Sequence, residues 1–324
     1  MDAKQLKEFQ ALPLESKVSL SKARIREWVS KWGDNHVYVS FSGGKDSTVL
    51  LHLVRSTYPD VPAVYIQTGM ELPSVLDLIR KTENVIYVKP KYTFRQIIEK
   101  YGYPVISKET AYNIQYGRRA RENGNMELFD RYVNGVRKRA DGTIYTYGKM
   151  SVLGRELLET DIPISNQCCN IMKKHPAKQF EKDNDMKPFI GLLAEESQLR
   201  KTEYLKTGCN AFEAKRPRSI PLGFWTEQDI LQYIKDNNLE IAADYGEIID
   251  TPKGLACSGL ARTGCCFCLF GVHREKEPNK IQYLYEHYPK VWDYCMKPFE
   301  EGGLGLEKVC KAAKIPTKIE KEEK

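Results

Sequence analysis

Residues 37 to 51 read Val-Tyr-Val-Ser-Phe-Ser-Gly-Gly-Lys-Asp-Ser-Thr-Val-Leu-Leu, and no other stretch constrains the fold as much. Val37 to Phe41 is a short apolar, β-branched and aromatic run, as a buried strand requires. Ser42-Gly43-Gly44 is a turn whose two glycines, lacking a Cβ, let backbone come close to a ligand. From Ser47 onward, Val49, Leu50, Leu51, Leu53 and Val54 suit a buried helix. Strand, glycine turn and helix N-terminus make an anion site, because free N–H groups and the positive end of the helix dipole point at one spot. Ser42 and Ser47 add hydroxyl donors, Lys45 a full positive charge, and Asp46 a carboxylate able to hold Mg²⁺ or fix the loop. An ordinary turn would account for the glycines, but not for two serines, a lysine and an aspartate around them. The spacing is not the Gly-x-x-x-x-Gly-Lys of P-loop NTPases.

The 324 residues suffice for one large domain or two ordinary ones. A hydrophobic fraction of 41% and a charged fraction of 29% are those of a soluble globular chain. With no charged-then-apolar leader and no long apolar run, neither a signal peptide nor a membrane span is expected, and the expected location is the cytoplasm. Nine cysteines in such a chain point to metal ligation or catalysis rather than disulfides. The net charge of +7 suits an anionic small molecule as well as it suits RNA or DNA.

Residues 1–33 are expected to be helical, with Ile25, Trp28, Val29 and Trp32 on one face and Gly33 as the stop. Val61 to Ile66 and Val85 to Val88 read as strands. Thr93 caps a helix over Phe94 to Tyr101 that Gly102 ends. Strand alternating with helix predicts a parallel sheet with ligands at the carboxyl ends of its strands. Gln67 to Pro73 lies at one such end, and Ala194 to Lys201 follows another strand, Pro188 to Leu193. Lys215-Arg216-Pro217-Arg218 is a basic loop able to reach a phosphate. Thr226 caps an amphipathic helix with Asp229 at its third position. Residues around Ile281, Leu284, Tyr285 and Tyr288 outline a further helix, and Lys321 to Lys324 form a polar tail.

Residues 108–150 differ in character, with nine Lys/Arg, five Asp/Glu and interleaved tyrosines 112, 116, 132, 145 and 147. Basic groups with aromatics can bind single-stranded nucleic acid. The mixed acidic residues favour solvated faces of two helices and a hairpin, forming an insertion or lid.

Cys168-Cys169 and, almost a hundred residues later, Cys265-x-x-Cys268 could supply four thiolates to one metal or cluster. Lys173 and Lys174 should lower nearby thiol pKa values. Cys257, just upstream, could replace one of the adjacent pair. Iron–sulfur and zinc both fit four thiolates. Cys209, Cys295 and Cys310 stand alone as packing residues.

Ser-Gly-Gly-Lys-Asp-Ser resembles the pyrophosphate loop of the ATP pyrophosphatases, in the branch that holds the phosphoadenosine phosphosulfate (PAPS) reductases and related sulfurtransferases. Thr68, Gly69, Glu71 and Pro73 resemble that family's Asp-Thr-Gly-x-Glu-x-Pro turn, with Gln67 in place of the aspartate. Glu196, Ser197 and Arg200 resemble its Glu-Ser-x-x-Arg stretch, with Leu193 in place of an earlier arginine. Trp225-Thr226 with Asp229-Ile230 is similar to a further family segment. The resemblance spans about 36–270 apart from the insertion. It implies an α/β fold of the adenine nucleotide alpha hydrolase type: a mostly parallel sheet flanked by helices, with a helical, cysteine-bearing C-terminal part. Segments 1–35, 36–270 and 271–324 would then be an N-terminal helical segment, the nucleotide domain and a helical extension.

The resemblance also implies roles. Ser40, Ser42 to Ser47, Thr68, Gly69, Glu71, Glu196, Ser197 and Arg200 would bind nucleotide, with Lys45, Asp46 and Arg200 catalytic. The cysteine pattern is similar to the iron–sulfur sulfonucleotide reductases, implying a [4Fe–4S] cluster on Cys168, Cys169, Cys265 and Cys268. The Glu-Cys-Gly-x-His tail of the thiol-dependent reductases is absent; Glu307 to Lys311 does not supply it. Two activities follow as expectations. One is ATP·Mg²⁺-dependent sulfur transfer through an adenylated intermediate. The other is reduction of PAPS or adenosine phosphosulfate (APS) to sulfite. Partners would be the nucleotide and a sulfur donor or thiol reductant protein. A nucleic-acid-binding protein without turnover is the third reading, resting on 108–150.

Overall fold

The structure, a computed structural model, describes residues 2–319, so the tail Lys321 to Lys324 lies outside the described residues. The chain divides into two compact units, one of residues 1–90 and 175–264 and the other of residues 91–174 and 265–324. This division differs from the segments drawn along the sequence. Residues 108–150 fall in one unit with the C-terminal helices, a grouping that motif order along the chain does not reveal.

The first unit is built on a six-stranded sheet. Its strands are β1 (Val37–Ser40), β2 (Ala63–Ile66), β3 (Val85–Val88), β4 (Lys187–Ile190), β5 (Asn210–Ala211) and β6 (Arg218–Ser219), in the order β3-β2-β1-β4-β6-β5. All neighbours are parallel except β5 and β6, so this is the expected mostly parallel α/β sheet. β1 is central, buried on both faces, and its apolar run has no polar alternation for that reason.

The N-terminal helical segment is two helices, α1 (Ala3–Gln10) and α2 (Leu14–Trp32), because Pro13 interrupts it. Gly33 ends α2 at φ +88. Trp28 is fully buried, stacked 5.2 Å from the Phe212 ring and 6.4 Å from Phe189 of β4, so it is core. Helices α3 (Lys45–Arg55) and α4 (Pro73–Lys81) follow β1 and β2. The Thr226 capping box forms as expected, and the buried Lys17 of α2 donates to Asp229 Oδ2 at 2.7 Å, tying α2 to the helix Glu227–Asp236.

The basic loop at 215–218 does not offer free guanidinium groups. Arg216 makes a bidentate pair with Glu181, both bonds at 2.6 Å, and Arg218 pairs with Glu203. Charge in a loop said nothing of carboxylates brought up from other elements. Nearby, Gly223 packs its bare Cα on the Tyr204 ring, where a Cβ would lie 2.1 Å from a ring carbon. Gly223→Ala should therefore destabilise the first unit by about 1–3 kcal/mol, read as a lowered denaturant midpoint at unchanged slope.

In the second unit, Val105–Ile106 pairs in parallel with Leu269–Phe270, while Tyr103 bridges Ile164. The helix Phe94–Tyr101 carries the expected Thr93 cap and Gly102 stop. Residues 108–150 form the helix Lys108–Glu122, a short helix Met126–Phe129 with a π-helical turn, and a hairpin of Val136–Lys138 with Ile144–Thr146. Arg118 is not a phosphate contact: it donates to the carbonyls of Leu157, Leu158, Thr160 and Ile162 at 2.5–2.9 Å. Arg121 pairs with Glu159 at 2.9 Å. Arg118 and Arg121 thus hold the segment about forty residues on, through its carbonyls and the Glu159 carboxylate. Cys295 and Cys310 are fully buried, in keeping with packing. Among the described residues no helix is long and apolar enough to cross a membrane.

Candidate functional site

The loop 42–47 leaves the carboxyl end of β1 and enters α3. Gly43 adopts φ +69, and a Cβ there would meet Val75 and Ile79 of α4 at 2.7–3.1 Å. Glycine is needed on both counts. Gly191, just past β4, plays a second close-approach role: a Cβ would lie 3.0–3.2 Å from the backbone of Asp46 and Ser47. The loop is braced from within. Ser47 Oγ donates to the Gly44 carbonyl at 2.8 Å and lies 3.1 Å from Ser42 Oγ, and Ser42 N–H reaches Ser47 Oγ at 3.2 Å. Among the described residues the N–H groups of Gly43 and Asp46 have no hydrogen-bond partner. Free amides at a helix start are what an anionic oxygen needs.

Lys45 is 4% exposed. Its ammonium donates to the Ala261 carbonyl at 3.0 Å and pairs with Glu227 at 3.1 Å, over the Tyr245 ring. Its backbone N–H meets Tyr245 Oη at 3.2 Å, and that hydroxyl lies 3.1 Å from Thr263 Oγ1. The segment 244–263 therefore wraps the lysine, and Glu227, Tyr245, Ala261 and Thr263 join the site although sequence reasoning passed over them. Glu227 stands at the first position of its helix, where an acidic residue is ordinary, so nothing marked it out.

Asp46 is half-buried, and its buried Oδ1 has no hydrogen-bond partner. Burial raises its pKa above the ordinary carboxylate range, against the opposing pull of Lys45, Arg262 and Arg200. An orphaned carboxylate oxygen beside a phosphate cradle fits a divalent cation accompanying a nucleotide. Arg200 feels both Arg262 and Asp46, with burial pushing its pKa down first. Glu196 pairs with Arg200 and lies 3.8 Å from Arg262. Lys45, Asp46, Glu196 and Arg200 therefore share one electrostatic neighbourhood. Ser197 is the N-cap of the helix Gln198–Thr207, accepting from Arg200 N–H at 3.2 Å, so it orients the arginine's helix. Thr68 donates to Glu71 at 2.5 Å, and the Met70 N–H bonds to both, a self-contained turn leading into the α4 that packs on Gly43. Gly69 takes φ +71 in that turn, and Ser40 closes β1.

The four expected cysteine ligands all lie in the second unit. Their segments flank one short strand: 163–165 bonds to Tyr103 on one side, and Leu269 N–H reaches the Pro104 carbonyl on the other. Cys265 to Cys268 is a tight turn closed by Cys268 N–H to the Cys265 carbonyl at 3.2 Å. The Cys168 thiol feels Cys169, Cys265 and Cys268, and Cys268 feels Cys265 and Cys169. Among the described residues no three His, Cys, Asp or Glu side chains converge into a ready metal cage. The set is a group of neighbouring soft donors, which fits iron–sulfur or zinc in ligand chemistry. The expected lowering of thiol pKa by lysines fails for Cys168: burial pushes it well up, and Lys173 is the smallest influence on it. Cys257 belongs to the first unit, where burial raises its thiol pKa, Lys45 opposes that rise and Glu227 adds to it.

The family model for the phosphoadenosine phosphosulfate reductase domain matches residues 36–118 and 120–259. An adenosine 5'-phosphosulfate reductase of Bacillus cereus is 28% identical over 94 residues, 27% of this chain and 39% of its own length. The chain spans less than two-fifths of the length of either curated relative it matches. Among solved structures, PAPS reductase from Candida auris in a phosphate complex has TM-score 0.39 and 15% identity, covering 75% of this chain and 90% of that one. The U34-tRNA thiolase NcsA from Methanococcus maripaludis, with its [4Fe–4S] cluster, has TM-score 0.36 and 14% identity, covering 70% and 66%.

Proposed function

This chain belongs to the phosphoadenosine phosphosulfate reductase domain family, and on that premise we propose that it is a cytoplasmic enzyme of sulfur chemistry that activates an acceptor with ATP. The carrying observation is the buried, unpartnered Asp46 Oδ1 beside Lys45 and two free loop amides. A sulfonucleotide with no β,γ-phosphate has less use for that complete loop.

In this reading, ATP places its phosphates on residues 42–47. An acceptor oxygen attacks the α-phosphorus, and the bond to the bridging oxygen breaks to release pyrophosphate. Sulfur from a donor then attacks the acceptor carbon, and AMP leaves with the oxygen. Lys45 and the amides of Gly43 and Asp46 stabilise charge developing on the leaving pyrophosphate. Lys45 must first leave Glu227 for the phosphate. Asp46 would hold Mg²⁺, which when bound neutralises phosphate charge. Arg200 would clamp a remaining phosphate oxygen. Cys168, Cys169, Cys265 and Cys268 would hold a [4Fe–4S] cluster, which when bound supplies a site for sulfur; zinc is the rival.

A second reading, reduction of PAPS or APS to sulfite, is favoured by Cys257. Its thiol, raised by burial, is drawn down by the charge of Lys45, and that lysine would stabilise a thiolate nucleophile within the first unit. The thiol would attack the sulfonyl sulfur and release the nucleotide, and a thiol reductant would then free sulfite.

The test uses protein purified without oxygen: iron and acid-labile sulfide content, pyrophosphate from ATP, and sulfite from PAPS. Iron with sulfide and pyrophosphate release is expected. Sulfite release abolished by Cys257→Ala would replace the first reading with the second. Cys265→Ala combined with Cys268→Ala should cut bound iron and sulfide at least tenfold. Zinc without sulfide would sink the cluster.

A further inference from the structure

The second unit carries a cavity of about 670 Å³ that the reactions above do not use. Such a volume suits a small-molecule ligand. Lys108, Lys149 and Arg274 line it against one acid, Glu109, an excess of two positive charges. All four are exposed, and none has an ion-pair partner among the described residues.

Three further features lie in its wall. The helix Lys108–Glu122, 15 residues long, starts in the cavity wall. Its cap Ser107 accepts from Thr110 N–H, while the N–H groups of Lys108 and Glu109 have no partner among the described residues. His273 also lines the cavity, and its Nδ1 is buried without a hydrogen-bond partner. Burial first, and Arg274 second, keep this imidazole neutral, so one ring nitrogen can accept a hydroxyl proton. Finally, Ile106 in the wall takes φ +64, a left-handed conformation that a β-branched residue avoids. It is held there by its parallel pairing with Phe270 and by Gly271 N–H on its carbonyl at 2.8 Å. Strain of this kind persists where the surroundings enforce it and gathers at ligand sites.

We propose that this cavity binds a phosphorylated sugar, its phosphomonoester dianion held by Lys108, Lys149, Arg274 and the free amides of the helix start, and a sugar hydroxyl held by His273. A free sugar phosphate and the ribose phosphate of a nucleotide present the same chemistry. The site does not rest on the ATP reading, since all its residues lie in the second unit.

The test is calorimetric titration of the full chain with ribose 5-phosphate, cytidine 5'-monophosphate and, as a neutral control, ribose. Saturable binding of at least one phosphate, with ribose silent, is expected. Binding of ribose 5-phosphate identifies a free sugar phosphate; binding of the nucleotide alone identifies a nucleotide. Lys149→Ala with Arg274→Ala, both exposed, should weaken binding at least tenfold at unchanged thermal midpoint. Lys45→Ala should leave it intact. No saturable binding of either phosphate, binding unchanged in the double variant, or loss in Lys45→Ala overturns the proposal. The ATP reading stands or falls separately, by pyrophosphate release.

Discussion

Lys45→Ala should lower pyrophosphate release from ATP by about 10²–10³-fold, the usual effect of removing one donor aimed at developing negative charge. The change should fall on kcat more than on the folded state. The lysine is buried, but its carboxylate partner Glu227 is 41% exposed and can turn to water when left alone. Glu227→Gln separates the lysine's two engagements. In the nucleotide-free chain Glu227 competes with phosphate for the ammonium, and a half-exposed pair of this kind is worth about 1 kcal/mol. Removing the charge should therefore tighten ATP binding about fivefold. Weakened binding would instead place Glu227 on the metal that accompanies ATP. Steady-state pyrophosphate release with an ATP titration gives both numbers.

Asp46→Asn should make the free protein more stable and leave it unable to respond to Mg²⁺ and ATP. The wild-type carboxyl has a folded-state pKa above that of the unfolded chain, set by burial. The folded state thus holds the proton more tightly than the unfolded one. Asp46 contributes stability that is full below the unfolded pKa and lost as pH rises through the raised folded value. Above the raised folded value, the ionised carboxylate with its buried, unpartnered Oδ1 opposes folding. Replacing it should recover about 2 kcal/mol, or about 4–8 °C in thermal midpoint. The gain should shrink toward acid pH, where the wild-type group takes its proton. In the wild type, saturating Mg²⁺ and ATP should raise the midpoint; at a hundredfold excess over Kd this is about 2.7 kcal/mol. The variant should show no such rise. Thermal melts between pH 4 and 8, with and without Mg²⁺ and ATP, decide it. A variant less stable than wild type at pH 7 would mean that the carboxylate braces the loop.

What the sequence made legible was local. Thr93 and Gly102 bound a helix because cap and stop chemistry act over three or four residues. Thr226 and Asp229 close a capping box for the same reason. The strand-turn-helix at 37–55 was legible because a short apolar run, a glycine turn and an apolar helical pattern follow one another directly. Pro13 marked a break between α1 and α2 that a single helical pattern overlooked. The rest of the site was not legible because it is long-range. Tyr245 and Ala261 reach Lys45 across two hundred residues or more of chain, and no local rule distinguishes them. Arg118 and Arg216 looked like free basic groups because their carbonyl and carboxylate partners come from distant segments.

The order of strands has a consequence for synthesis. β1 lies mid-sheet between β2 and β4, yet β4 begins at Lys187 while β1 ends at Ser40. A ribosome adding about 5–20 residues per second needs roughly 7–30 s to cover that gap. During that interval β2 and β3 can form, but the far side of β1 has no strand to pair with. An apolar edge of Val37, Tyr38 and Val39 is left facing solvent, the kind of edge on which nascent chains associate. Expression at low temperature or with added holdase chaperones should therefore raise yield through this interval, independently of any stability the finished protein has.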